Sequence, residues 1–147
     1  MATLAIIGMA VLLVLMLSMS VTAGTQYSIS QLARQWRWLL LAALLSQVMI
    51  LPKMIDLIAT GWQWMPFLGI FAIVVCGAAS VVDKADNLVH MIAAAVAFVC
   101  LFGWVAMVNH KCLMPFVVCA MCGRERFVWR CEVGMIASVY MALLLNI

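Results

Sequence analysis

The chain holds 147 residues, 69% of them hydrophobic and 9% charged, with a net charge of +3. An average soluble domain has about 45–50% apolar and about 25% charged residues, so no soluble fold of this size can hide so much apolar surface. Nucleotide and nucleic-acid partners are excluded as well, because the chain has no basic stripe interleaved with aromatics and no Walker or dinucleotide glycine motif.

Unbroken apolar runs, Met91 to Val108 among them, approach the roughly 20 residues that carry a helix across about 30 Å of hydrocarbon. An outer-membrane barrel would instead show alternating segments of about ten residues. The expected fold class is therefore all-α: a polytopic transmembrane helical bundle forming one domain, residues 1–147.

The first span, 3–23, closes on the small residues of SVTAG, as a secretory signal does. Its apolar stretch is too long for a signal and no basic leader precedes it, so a retained helix is expected. A polar turn, GTQYSIS, follows, with Ser28 and Gln31 at capping-box spacing. The second span, 30–51, opens with Arg34, Trp36, Arg37 and Trp38 at headgroup depth, and Pro52 is expected to kink or end it. Lys53 and Asp56 make a short polar step before Gly61, Trp62 and Trp64, which lead into the third span, 65–82. The tight connection DKAD leads into the fourth span, 86–109. After His110 and Lys111 comes CLMPFVVCAMC, residues 112–122, too short to cross an average bilayer at about 1.5 Å per residue. The last span is 127–147.

The count is thus five full spans plus one short segment that either crosses or re-enters. Short cytoplasmic loops hold the excess of Lys and Arg, and this rule arbitrates. If the short piece crosses, Arg34, Arg37, Lys84, Arg124, Arg126 and Arg130 lie inside and only Lys53 and Lys111 outside. If it does not, the best split is five against three. Six segments are therefore expected, with both termini outside the inner (plasma) membrane and the short fifth segment broken at Pro115.

Several short motifs point the same way: SIS before the second helix, CGAAS closing the third, an acidic turn and VHM opening the fourth, then WRCE and VYMALLL in the last. With them the chain resembles a group of small bacterial six-helix integral membrane proteins. The resemblance implies the six-helix architecture and transfers no activity.

In this topology the ionisable groups gather on one side. Asp83, Asp86 and His90 lie at the third-to-fourth connection, Arg34 and Arg37 at the second helix, and Arg124, Glu125, Arg126, Arg130 and Glu132 at the last. Asp86 and His90 are four apart and share a helix face, so the carboxylate can hold the imidazole in one tautomer. Glu132 lies inside a span, where it is expected to pair with an arginine or histidine or to carry a proton. His90, Glu132, Asp86 and Asp83 are the titrating or pathway candidates, and Arg34, Arg37, Arg124, Arg126 and Arg130 the electrostatic or partner-binding ones. The competing reading makes all of them topology determinants and satisfied ion pairs at helix ends.

Cys119 and Cys122 form a CxxC pair, with Cys112, Cys131 and His110 nearby in sequence. A structural zinc site takes four ligands, usually as two close pairs, and only one pair has the spacing here. Metal is therefore not expected, Cys119 and Cys122 being weak candidates, and buried thiols acting as small hydrophobes are the expected role. No cofactor is implied, and HExxH and GxSxG are absent. Ala72, Cys76 and Ser80 repeat every four residues along the third span, and Ala93, Ala94 and Ala97 make a smooth patch on the fourth. Such small residues let helices approach closely, either within one subunit or at a homo-oligomeric seam.

The functional expectation is a channel or transporter for a small solute or ion, homo-oligomeric in the lipid bilayer, with the charged cluster as its cytoplasmic vestibule. Two alternatives stand beside it. One is a non-catalytic membrane subunit or effector that docks a protein partner on its arginine-rich inner loop. The other is an intramembrane lipid-modifying enzyme using Asp83, Asp86 and His90.

Overall fold

A computed structural model describes residues 3, 6–11, 13–14, 17, 37–82, 88–122 and 127–146. The described residues are helical, joined by short turns, and include no strand. Five helices follow in order: α1 Arg37–Asp56, α2 Trp64–Val82, α3 Leu88–Asn109, α4 Met114–Met121 and α5 Phe127–Leu144, with a four-residue 3-10 turn, His110–Leu113, between α3 and α4. Residues 6–11 are also helical, and Ile6 and Met9 are buried in the common core. The rest of the expected first span and its capping turn lie mostly outside the described residues.

Two stretches are long and apolar enough to cross a membrane, Leu88–Met121 and Phe127–Leu144. A shorter apolar helix covers Trp64–Ser80. About a third and somewhat under half of these two stretches are buried, 33% and 44%, so much of their apolar surface faces outward. Their outer faces are hydrophobic: Met91, Ile92 and Val99 on α3, and Phe127, Val128 and Leu144 on α5, are exposed.

Two prolines behave otherwise than as chain breaks. Pro52 does not end α1, which runs on to Asp56. A proline removes one backbone donor and crowds the carbonyl four residues back; here the helix absorbs that loss and carries one further turn. Pro115 does not break the short segment either. It sits in the first turn of α4, where its missing N–H would have had no helical partner. The break lies earlier, at Asn109, whose backbone is extended (φ −164°, ψ 99°) and whose side chain accepts a hydrogen bond from the Lys111 amide at 3.2 Å.

That break reverses the chain. A continuous helix would set Phe102 and Phe116 about 21 Å apart, yet their rings pack edge-on at 5.8 Å, and Phe98 lies 6.2 Å from Phe116. Hence α4 doubles back along α3. It then pairs antiparallel with α5, where Phe116 meets Ser138, Cys119 meets Gly134 and Cys122 meets Arg130. At about 12 Å for eight residues, α4 alone is much shorter than a bilayer core.

α2 and α3 form a second antiparallel hairpin. A methyl group added at Gly69 would lie 3.2 Å from the Cys100 Cβ, and one added at Gly103 would lie 2.9 Å from the Met65 sulfur. Ser80 and Cys76, near the far end of α2, meet His90 in the first turn of α3. The Ala72, Cys76 and Ser80 row is therefore turned toward α3 within one subunit, with Ala93 and Ala97 buried opposite. The small residues make an internal contact.

The two ends of the bundle differ. The apolar core gathers Ile50 and Met54 of α1, Ile70 of α2, Leu101, Trp104 and Val105 of α3, Cys112, and Met135, Val139 and Leu143 of α5. Most of these lie in the half of the bundle nearer the 3-10 turn. The other half, where α2 ends and α3 and α5 begin, holds the buried polar pair Ser80 and His90.

Candidate functional site

The row of small residues on α2 makes the site possible, because it lets α3 approach closely enough for His90 to reach the α2 backbone. Ser80 donates its hydroxyl proton to the carbonyl of Cys76, one turn back, at 2.8 Å. His90 is buried, 8% exposed, and its Nδ1 lies 2.9 Å from the Ser80 Oγ, 3.2 Å from the Cys76 carbonyl oxygen and 3.3 Å from the Cys76 sulfur. The other ring nitrogen, Nε2, stands 3.8 Å from that sulfur. Ser80 is fully buried.

Glu132 joins from a third helix. It is half-buried in the second turn of α5, within electrostatic reach of Cys76. α2 and α3 thus bring a hydroxyl, a thiol and an imidazole into contact, and the Glu132 carboxylate of α5 acts on Cys76 through its charge. His90, Arg130 and Glu132 each have at least one further interaction. The Arg130 guanidinium donates to the Cys122 carbonyl oxygen at 3.1 Å and so closes the end of α4, whose last carbonyls have no helical partner.

Of the residues expected in the site, His90, Glu132 and Arg130 lie at this end. Arg37 opens α1, and α1 reaches the opposite end of the bundle at Met54, so its backbone starts on the same side as they do. Arg34, Asp83, Asp86, Arg124 and Arg126 lie outside the described residues. Lys53, Asp56, His110 and Lys111 lie at the other end, around the 3-10 turn.

Cys76 and Ser80 were not expected in the site. Their spacing pointed only to packing, although a small polar residue on a close-contact face is also what a neighbouring imidazole needs. The CxxC pair divides between two environments: Cys119 is half-buried against Gly134 and Cys122 is exposed. All six cysteines are free thiols. Among the described residues, no three His, Cys, Asp or Glu side chains converge as a ligand set.

Comparison of the chain with protein-family models, with curated proteins and with solved structures returned no match.

Proposed function

We propose that this chain is a small multi-pass protein of the inner membrane, with six segments and both termini outside. In this reading it admits or moves a small solute or ion as a homo-oligomer, and the end carrying His90 and Glu132 serves as its cytoplasmic mouth. The supporting observation is the buried contact of His90 on α3 with Cys76 and Ser80 on α2, with the half-buried Glu132 of α5 near enough to act on Cys76 through its charge. Ionisable groups among membrane helices are costly and mark pathways for ions or protons. The fold-back of α4 supports the six-segment count, since it returns the chain to the His90 end before α5 begins. An oligomer is part of the reading because so thin a bundle encloses little space of its own.

The test is flux in proteoliposomes prepared with the purified protein, using pH-sensitive and ion-sensitive dyes under imposed gradients. Wild-type protein is expected to dissipate at least one gradient, and His90→Ala and Glu132→Ala to abolish that activity. No flux of any tested ion, together with an unchanged cellular phenotype in both variants, would remove the proposal. Recovery of a stoichiometric foreign protein by crosslinking from Arg130 would favour a docking subunit instead.

A further inference from the structure

We propose that Cys119, Cys122 and Cys131 form a thiol relay, which takes up a small-molecule disulfide at Cys122 and ends as a reversible Cys119–Cys131 cross-link between α4 and α5. Its readout is covalent, so it stands or falls apart from the transport reading above.

The register of the α4–α5 hairpin brings the three together. A Cβ at Gly134 would lie 2.8 Å from the Cys119 Cβ and 2.8 Å from the Phe116 Cα, so the two backbones are in contact there. Because the helices run antiparallel, the turn of α5 that precedes Gly134 lies beside the turn of α4 that follows Cys119. Cys131 occupies that turn, three positions before Gly134 and on the same side of the helix. It is within electrostatic reach of Cys119. The 3.1 Å bond from Arg130 to the Cys122 carbonyl oxygen ties the same turn of α5 to the end of α4. Cys119 and Cys122, at i and i+3, share a face of their own turn.

Access falls along the series. Cys122 is exposed, Cys119 is half-buried and Cys131 is buried. Thiol–disulfide exchange begins where a thiolate can meet its oxidant, so Cys122 is the entry. Its thiolate attacks the donor disulfide, forms a mixed disulfide and releases one thiol. Cys119 then attacks the Cys122 sulfur, which expels the second thiol and leaves a Cys119–Cys122 bond. Cys131 attacks the Cys119 sulfur in turn, forms the Cys119–Cys131 bond and returns Cys122 to a thiol. In sum, two protein thiols lose two electrons and two protons, and the donor disulfide gains them as two thiols. The finished bond lies beside Gly134 away from water, and a reducing thiol reaches it by the same route in reverse. It fastens α4 to the turn of α5 that carries Arg130 and Glu132, the two neighbours of Cys131.

The test uses full-length protein in lipid bilayers, with oxidised glutathione as the donor. Samples are quenched with N-ethylmaleimide at intervals, digested and mapped by mass spectrometry. A glutathione adduct on Cys122 is expected first, followed by a Cys119–Cys131 linked peptide that retains no glutathione and is lost on addition of dithiothreitol. Cys122→Ser, a change at an exposed position, should slow the cross-link at least about tenfold by removing the accessible sulfur. Absence of the Cys119–Cys131 peptide from oxidised wild-type protein overturns the proposal, whether Cys122 stays glutathionylated or pairs with Cys131 instead. A cross-link that forms as fast in Cys122→Ser as in wild type overturns it equally.

Discussion

The indole Nε1 of Trp104 donates a 2.9 Å hydrogen bond to the carbonyl oxygen of Met54, fifty residues earlier in the chain. Met54 lies in the last turn of α1, and the Ile58 amide that would complete the helical ladder bonds to the Ile55 carbonyl instead. Both side chains are completely buried. A side chain of α3 therefore caps α1, at a depth where water is scarce and an orphaned carbonyl is costly.

Replacing Trp104 with phenylalanine keeps most of the ring and removes the donor. The variant is expected to lose about 1–3 kcal/mol, the cost of a buried acceptor left unsatisfied. SDS titration from a mild detergent measures it, and an unchanged midpoint would show that the indole proton contributes nothing.

Gly134 is the contact point of α4 and α5. A Cβ there would lie 2.8 Å from the Phe116 Cα and 3.1 Å from the Pro115 carbonyl oxygen, both backbone atoms that cannot rotate away. Gly134→Ala is expected to cost at least about 1–3 kcal/mol by overpacking. Gly8→Ala is the control, since nothing lies within 4 Å of a Cβ at that position. Equal behaviour of the two variants in the same titration would contradict the close approach.

Ser138 is fully buried and accepts a hydrogen bond from the Phe116 amide at 3.2 Å. That amide opens α4 and has no helical partner, so Ser138→Ala strands a buried donor, at about 1–3 kcal/mol. Hydrogen exchange at Phe116 should accelerate selectively in this variant. Exchange unchanged at Phe116 would mean the bond is dispensable.

The cysteines differ in access. Cys122 is exposed at the end of α4, while Cys100 and Cys112 are buried. In single-cysteine variants, a membrane-impermeant maleimide is expected to label Cys122 in oriented vesicles, from the side that bears Arg130, and to leave Cys112 unlabelled until SDS is added. Labelling of Cys112 as fast as Cys122 in the native protein would break the assignment of α4 as a folded-back helix.

The start of α2 at Trp64 was legible in the sequence because a long apolar run behind a polar turn leaves little choice of boundary. Pro52 does not end α1, because a proline's local cost can be outweighed by the packing of the turn that follows it, where Met54 and Ile58 are buried. The reversal at Asn109 was not legible, since one extended residue in an apolar sequence leaves no periodic signature, and its proof is the packing of Phe116 on Phe98 and Phe102. His90 stood out as an ionisable residue inside a span. Ser80 and Cys76 did not, because their proximity to it is created by helix packing between residues ten and fourteen positions away.

The brevity of α4 bears on how the chain enters a membrane. Eight helical residues offer a translocation machine too little apolar length to release into lipid alone, and the Phe116 amide that opens the helix finds its acceptor only on Ser138, twenty-two residues later. On the membrane reading proposed above, α4 waits for α5 to be synthesised and enters with it as one unit. On that reading α4 and α5 form a single step of biogenesis, and a chain truncated before Ser138 leaves the Phe116 amide without its acceptor.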